Sequence, residues 1–209
     1  MKIAVLSESP ADEAAVHILV EALLNVQIES AALPPIRTRG WPLSKALLSN
    51  SLKYLYYHTD ADALVVVVDS DSSPIHDQLH ERPESTIEKC RVCLLQAVIA
   101  HTQKYCRVIE GRNRIKTAVG LAVPAIEAWY LCGTDPQASE AALKQYSSDR
   151  IAELIKQLKR SVYGTDRPSL ELETARAVEE ATRLVQNLNL LEQLFPNGFG
   201  TLARDVRNW

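Results

Sequence analysis

The sequence contains no long hydrophobic run and no large excess of charge of either sign. None of its 209 residues lies in a stretch long and apolar enough for a membrane span, and internal repeats and low-complexity tracts are absent. The net charge of −3 excludes a surface that is basic throughout, so any contact with nucleic acid has to use a local basic patch. These absences predict a globular protein of one domain with a helical extension, not attached to a membrane.

Cysteine is also scarce. The chain has four, which is too few for the disulfide framework of a secreted protein of this length. The first predicted strand begins almost at Met1, without the basic and apolar segment of a signal peptide. We therefore expect a cytoplasmic protein.

Two of the cysteines, Cys90 and Cys93, have the spacing of a zinc knuckle. The side chains that could complete such a site are His76, His80, Cys106 and Cys132. The pair lies in a helical pattern, however, and only two thiols come with the spacing. The sequence therefore favours ordinary buried cysteines over a metal site.

The most informative stretch is a run of four valines that ends in two acids, Val65-Val66-Val67-Val68-Asp69-Ser70-Asp71. An apolar run without alternation is typical of a parallel strand that is covered on both faces. Residues two apart point the same way in an extended chain, so Asp69 and Asp71 are expected to converge. Two adjacent carboxylates are costly without a cation, and oxygen ligands suit Mg²⁺ or Mn²⁺. The alternative is a solvated loop whose acids cap the next helix.

Two further acids follow predicted strands. Glu8 ends the strand that begins at Lys2, and Glu127 comes just after the predicted strand 115–123. Ligands bind beyond the carboxyl ends of the strands in open parallel sheets, so neighbouring strands would bring these acids into one cleft. Taken singly, each acid is better explained as a residue that stabilises a helix N-terminus, and it is the position of all four acids at strand ends that favours a site.

Strands alternate with helices over the first two-thirds of the chain, and amphipathic helices follow. This order predicts an α/β fold, a Rossmann-like parallel sheet of about four strands flanked by helices, with a helical C-terminal extension. We place the α/β domain at 1–133 and the extension, packed on it, at 134–209.

The chain resembles the TOPRIM domain of topoisomerases, primases and OLD-type nucleases. The order strand, Glu8, turn, helix, then apolar strand and Asp-x-Asp carries this likeness. The segment Pro124-Ala125-Ile126-Glu127-Ala128-Trp129-Tyr130-Leu131 resembles the P-x-I-E-A-W-x-L element of a little-characterised bacterial TOPRIM-like branch. Ser9 stands where TOPRIM domains usually carry glycine.

The resemblance implies a Mg²⁺- or Mn²⁺-dependent nuclease or phosphoesterase in bacterial defence or repair, working with an ATPase partner. It implies that Glu8 acts as general acid or base or helps to hold a metal, that Asp69 and Asp71 hold the metal, and that Glu127 is a further ligand. Fold alone does not fix function, so a TOPRIM-like module that binds nucleic acid or protein without cleaving stays open. A phosphotransfer receiver or small phosphatase is a weaker alternative.

Six basic residues form the candidate nucleic-acid contacts, and nucleic acid, with DNA favoured over RNA, is the expected partner. They are Arg37, Arg39, Arg107, Arg112, Arg114 and Lys116. Arginines beside acids in one cleft would hold a phosphate backbone next to a metal. A solvated loop is an equally good explanation of the same residues.

Overall fold

The computed structural model describes residues 1–34, 41–71, 73–76, 90–143 and 148–209, without the side chains of 41–45, 143 and 148–149. It is an α/β protein with a four-stranded, all-parallel sheet flanked by helices and a helical C-terminal region, which confirms the predicted fold class. Arg37, Arg39 and His80 lie outside the described residues.

The elements follow one another in a regular order up to the fourth strand. They are β1 (Lys2–Leu6), α1 (Pro10–Leu24), β2 (Glu29–Ser30), α2 (Trp41–His58), β3 (Ala63–Asp69), α3 (Arg91–Tyr105) and β4 (Lys116–Ala122). The remaining elements are helical: α4 (Glu127–Tyr130), α5 (Glu140–Leu143), α6 (Ser148–Tyr163), α7 (Leu170–Val185), α8 (Leu188–Leu194) and α9 (Phe199–Arg207).

The valine strand β3 lies in the middle of the sheet, whose order is β2-β1-β3-β4. Every residue of β3 except Asp69 is buried. Parallel strands pair with both of its edges and helices cover the faces of the sheet, which explains the absence of alternation in its sequence. In the register with β4, Asp69 lies opposite Ala122, so the two strands end at the same level.

Helix α1 begins at the turn that the sequence marks for it. The Ser9 side chain accepts a hydrogen bond from the Asp12 amide at 3.1 Å, and Pro10 occupies the first turn. The helix ends at Asn25, whose φ of 52° gives the left-handed cap that asparagine tolerates. These local signals start α1 soon after β1 ends, and Glu8 therefore lies in the short connection between the two elements.

The segment Cys106–Ile109, which follows α3, is irregular and pairs with none of the four described strands. Helices α2 and α3 pack on each other and against β3 and β4, whereas α1 and α9 pack together and contact β1 and β4. Within the described parts of the chain, no helix combines the length and apolar composition needed to cross a membrane.

The C-terminal helices share the core of the sheet. Helix α7 packs along α1, and α9 packs on β4. The indole of Trp129 is fully buried and meets the ring of Phe199 edge to face, with the centroids 5.3 Å apart. Trp129 is therefore a core residue, as its apolar surroundings in the sequence suggest, and not a base-stacking platform.

The buried carboxylate of Glu140 fixes the loop before α9. It accepts hydrogen bonds from the amides of Asn197 at 3.1 Å and Gly198 at 2.6 Å, and from the Asn197 side chain at 3.0 Å. Gly198 lies so close to β4 that a Cβ atom there would be 2.1 Å from the carbonyl oxygen of Leu121. Only glycine fits this contact between the loop and the sheet.

Gly198→Ala is therefore expected to lower the free energy of unfolding by about 3 kcal/mol, because backbone has to move to admit the methyl group. Gly200→Ala is the matched control, since a Cβ atom at Gly200 would have no contact closer than 3.5 Å. Urea denaturation of both variants measures the difference. Equal stability of the two variants would contradict the close approach of Gly198 to β4.

Candidate active site

Three predicted acids meet beyond the carboxyl ends of β1, β3 and β4. Asp69 is the last residue of β3, and its amide donates a hydrogen bond to Glu8 Oε1 at 3.2 Å. Its own Oδ1 accepts a hydrogen bond from the Ile126 amide at 2.9 Å, one residue before Glu127. The adjacency of the three strands, on which the sequence argument depended, is present in the sheet.

Backbone contacts fasten the segments that carry these acids. The Ser7 hydroxyl donates to the Val67 carbonyl at 2.8 Å and ties the end of β1 to β3. Beyond β3, the Ser70 amide donates to the Ala122 carbonyl at 2.7 Å and the Asp71 amide to the Pro124 carbonyl at 2.9 Å. The acids therefore project from a rigid edge of the sheet.

Burial and neighbouring carboxylates raise the pKa of Asp69 and of Asp12 at this edge. Burial, followed by the carboxylate of Glu127, raises the pKa of Asp69 well above its ordinary value. Burial and the same carboxylate raise the pKa of Asp12, in the first turn of α1, to about 7. Glu8 contributes to the shifts of both Asp69 and Asp12. Such a cluster of buried like charges is stabilised by any cation that joins it.

The extended backbone that the expected convergence of Asp69 and Asp71 assumes is absent. The strand ends at Asp69, and Asp71 has a left-handed φ of 46°, so the alternation of an extended chain stops before it. Its Oδ2 pairs with Arg91 Nη2 at 2.7 Å. Arg91 Nη1 lies 3.5 Å from Glu8 Oε1 and also donates to the Asp69 carbonyl. Arg91 therefore joins the two loops that carry the acids.

Glu127 is almost fully buried and has one oxygen to spare. Lys159 Nζ lies 3.8 Å from its Oε1, and Lys159 and the phenol of Tyr163 both act to lower the pKa of Glu127. Burial still raises the pKa of Glu127 against the opposing charge of Lys159. Its Oε2 and the phenol oxygen of Tyr130, both buried, have no hydrogen-bond partner among the residues that the structure describes. A buried carboxylate oxygen without a hydrogen-bond donor, such as Glu127 Oε2, has lone pairs available to a metal ion.

The acidic cluster offers Mg²⁺ some carboxylate ligands but not a complete coordination shell. Mg²⁺ in proteins is commonly held by one or two carboxylates, with water and substrate oxygens as its other ligands. Asp69, Glu127 and Glu8 supply such carboxylates, and the unpartnered Oε2 of Glu127 is one available ligand atom. Over the described ranges, however, no three carboxylates approach closely enough to form a cage. The carboxylates suit an ion that arrives with water or substrate.

A second group of side chains is closer to a preformed metal site. His76 Nδ1 lies 3.2 Å from Cys90 Sγ and 3.5 Å from Cys93 Sγ, and the two sulfur atoms are 3.4 Å apart. The three atoms could hold a metal ion, of a type that prefers sulfur and nitrogen to oxygen. The sequence names His76 as one of four residues that could complete such a site. Nothing in it distinguishes His76 from the other three, because only the tertiary fold brings His76 to the two thiols.

The described basic candidates lie at the opposite end of the sheet from the acids. Lys116 is the first residue of β4, and its Nζ donates to the Trp209 carbonyl. Arg112 and Arg114 line a surface cavity beside Met1, and Arg107 is exposed in the same region. A seven-residue strand separates the two ends by roughly 20 Å. The expectation of one shared cleft is wrong for these four residues, whereas their contact with nucleic acid stays a prediction.

The cations near the acids were not found by sequence reasoning. In the sequence, Arg91 stands out only by its position between two cysteines. Lys159 has, with Lys156 and Arg160, the pattern of a solvated helix face. One signal was available: Lys159 and Tyr163 are four residues apart, so a helix presents them on one face. No signal in the sequence indicates that this face meets Glu127.

Arg91→Gln is expected to lower the free energy of unfolding at pH 7 by about 2–3 kcal/mol, because charge-assisted hydrogen bonds to Asp71 and Asp69 are lost. Arg107→Gln is the control, since the Arg107 side chain is exposed. Chemical denaturation of both variants gives the comparison. A loss of the same size in both variants would contradict the bridging role of Arg91.

No protein-family model, no curated protein and no solved structure matches this chain. The likeness to TOPRIM-like proteins therefore rests on the motifs of the sequence and stays a prediction.

Proposed function

We propose that this protein is a Mg²⁺- or Mn²⁺-dependent phosphoesterase that acts on nucleic acid in the cytoplasm. The observation that carries the proposal is the meeting of Asp69 with Glu8, Asp12 and Glu127 beyond the carboxyl ends of the strands, with the pKa of Asp69 well above its usual range. Perturbed carboxyl groups at this position of a parallel sheet are typical of a functional site. An ATPase partner in bacterial defence or repair belongs to the proposal on the resemblance alone.

In this proposal each side chain has a separate task. Asp69 and Glu127 hold the ion, which when bound polarises a phosphoryl oxygen and lowers the pKa of a bound water. Glu8 accepts the proton of the attacking water. Arg91 keeps the Glu8 loop beside β3, since its guanidinium also contacts Asp71 and the Asp69 carbonyl.

Lys159 provides the positive charge nearest to Glu127, on a side chain that is 31% exposed. A phosphate group that approaches the ion from the solvent side can contact this ammonium group. The phenol of Tyr130 stays protonated, because burial raises its pKa well above the ordinary value, and it can donate one hydrogen bond into the cluster.

A Mn²⁺ titration by calorimetry, run beside a plasmid-nicking assay on the same preparation, tests the proposal. We expect one class of binding site and nicking that depends on the added ion. Binding without nicking of DNA, followed by cleavage of RNA or a small phosphodiester, would keep the phosphoesterase and change its substrate. Absence of both binding and cleavage would reject it.

A non-catalytic binding module is the second candidate. It is favoured by the ion pairs that Arg91 makes with Asp71 and Glu8, which neutralise part of the acidic edge without a metal. This candidate predicts that nucleic acid or a protein partner binds equally well with and without Mn²⁺. The calorimetric titration therefore separates the two functions.

A further inference from the structure

The structure assigns a zinc site to His76, Cys90 and Cys93: we propose that their Nδ1 and two Sγ atoms bind one Zn²⁺ ion, which fastens the turn after β3 to the first turn of α3. The proposal does not depend on the phosphoesterase function, because it concerns other side chains and another ion. The three residues are buried or half-buried in the described part of the chain.

The distances fit tetrahedral zinc. Zn–S bonds of about 2.3 Å and Zn–N bonds of about 2.0 Å place two sulfur ligands about 3.8 Å apart and nitrogen about 3.5 Å from sulfur. The observed separations are 3.4 Å between the sulfur atoms, and 3.2 and 3.5 Å from Nδ1 to each sulfur. The triangle is only slightly smaller than the face of a zinc tetrahedron.

The chemistry of the three atoms also suits a metal ion. A neutral imidazole has one lone pair at Nδ1, and that lone pair cannot serve the thiols of Cys90 and Cys93 equally. An ion between the three atoms accepts all three lone pairs at once. Two thiolates with one imidazole are also the ligand set that selects zinc over Mg²⁺ or Ca²⁺.

The N-terminus of α3 fixes the position of one ligand. Cys90 is the N-cap of this 15-residue helix, and its sulfur accepts a hydrogen bond from the Cys93 amide at 3.5 Å. Because zinc binds thiolates, binding releases two thiol protons to solvent and forms two Zn–S bonds and one Zn–N bond, with water able to fill the fourth position.

The zinc site would position Arg91. This arginine lies between the two cysteine ligands, and its amide donates to Ser73 Oγ at 3.2 Å, on the same turn as His76. Its guanidinium contacts Asp71 and Glu8. An ion that holds the turn against α3 thus also holds Arg91, which joins the two acid-bearing loops.

Elemental analysis of the untagged, full-length protein tests metal binding directly. We expect about one zinc ion per chain in the wild type. Cys93→Ser and His76→Gln should each weaken zinc binding by roughly 100-fold or more, measured by competition with a chromogenic chelator. Cys106→Ser is the matched control, because Cys106 is a free, half-buried cysteine that lies outside the cluster.

Cobalt substitution reports the ligands. Wild-type protein loaded with Co²⁺ should show the intense visible bands of a tetrahedral site and a thiolate charge-transfer band, and Cys93→Ser should lose intensity in both. Circular dichroism establishes whether each variant is folded. If Cys93→Ser does not fold, His76→Gln takes its place in the zinc and cobalt measurements. A wild type without zinc, equal loss in Cys106→Ser, or a Cys90–Cys93 disulfide under non-reducing conditions would overturn the proposal; the last would indicate a redox pair.

Hydrogen exchange tests the anchoring role. Removal of zinc from the wild type with a zinc-selective chelator should accelerate exchange of the first amides of α3 at least tenfold, with the amides of α7 unchanged as an internal control. Unchanged exchange in α3 would overturn the anchoring part. Failure of the Mn²⁺ titration at the acidic edge would leave these results untouched, so the two proposals fail separately.

Discussion

Asp69→Asn is expected to reduce metal-dependent phosphodiester cleavage by about 1000-fold without destabilising the protein. The ion contributes several kcal/mol to transition-state stabilisation, and each 1.36 kcal/mol is a factor of ten in rate. The asparagine Oδ1 can still accept the hydrogen bond from the Ile126 amide, which Asp69 accepts at 2.9 Å. The substitution also removes a buried charge from a cluster that raises its pKa. Activity and stability are therefore expected to move in opposite directions.

Asp62→Asn is the matched control for this experiment. Asp62 is exposed and directly precedes β3, so the two substitutions are the same change at the two ends of one strand. The control variant should cleave as the wild type does, in the same assay with the same Mn²⁺ concentration. Full activity of Asp69→Asn would reject the proposed role of this carboxylate, as would a loss of activity that follows unfolding.

Asp71→Asn separates the two acids of the Asp-x-Asp motif. Asp71 pairs with Arg91 and is half-exposed, with 44% of its side chain accessible. We expect a smaller loss of activity than in Asp69→Asn, because Asp71 acts on the site through Arg91 and not through the ion. An equal loss in both variants would restore the interpretation in which both acids hold the metal.

The central strand and the position of Asp69 could be predicted from the sequence because one physical rule determines both. A parallel strand that helices cover on both faces has no polar face. Its whole length is therefore apolar, and the first charged residue marks its end. Glu8 and Glu127 followed from the same rule applied to β1 and β4. The fold class needed nothing more than the alternation of such strands with helices.

Other features of the site depend on tertiary contacts that no local pattern encodes. The pairing of Arg91 with Asp71 and the approach of His76 to Cys90 join residues that are 14 to 20 positions apart. The turn at Asp71 depends on its contact with Pro124 across the sheet edge. The location of the basic residues was, by contrast, predictable: Lys116 precedes the apolar part of β4, so it belongs to the amino end of the sheet, opposite the end that carries Asp69.

The stability of the metal-free protein is expected to fall as the pH rises from 4 to 8, and Asp12 accounts for much of the change. The unfolded carboxyl group ionises near its model value of 3.8, whereas the folded group has a pKa of about 7. Between these values the folded state binds the extra proton, so this contribution is complete below the unfolded pKa and is lost as the pH passes through the folded one. The difference corresponds to about 4 kcal/mol in the free energy of unfolding.

Asp12→Asn should remove this dependence. Its gain in stability over the wild type is expected to be small at pH 4 and to approach about 4 kcal/mol at pH 8, measured by urea denaturation in the presence of a chelator. Asp135→Asn is the control, because Asp135 lies outside the cluster and its Oδ1 accepts the Gln137 amide, as asparagine also can. A gain that is the same at both pH values would contradict the raised pKa of Asp12.

Addition of Mg²⁺ or Mn²⁺ connects this measurement with the proposed site. An ion that binds the ionised carboxylates stabilises the folded state only where those groups have lost their protons, so the increase in melting temperature should be large at pH 8 and small at pH 5. In Asp12→Asn the increase should persist, because Asp69 and Glu127 remain. An increase of the same size at both pH values would indicate that the ions bind elsewhere on the surface.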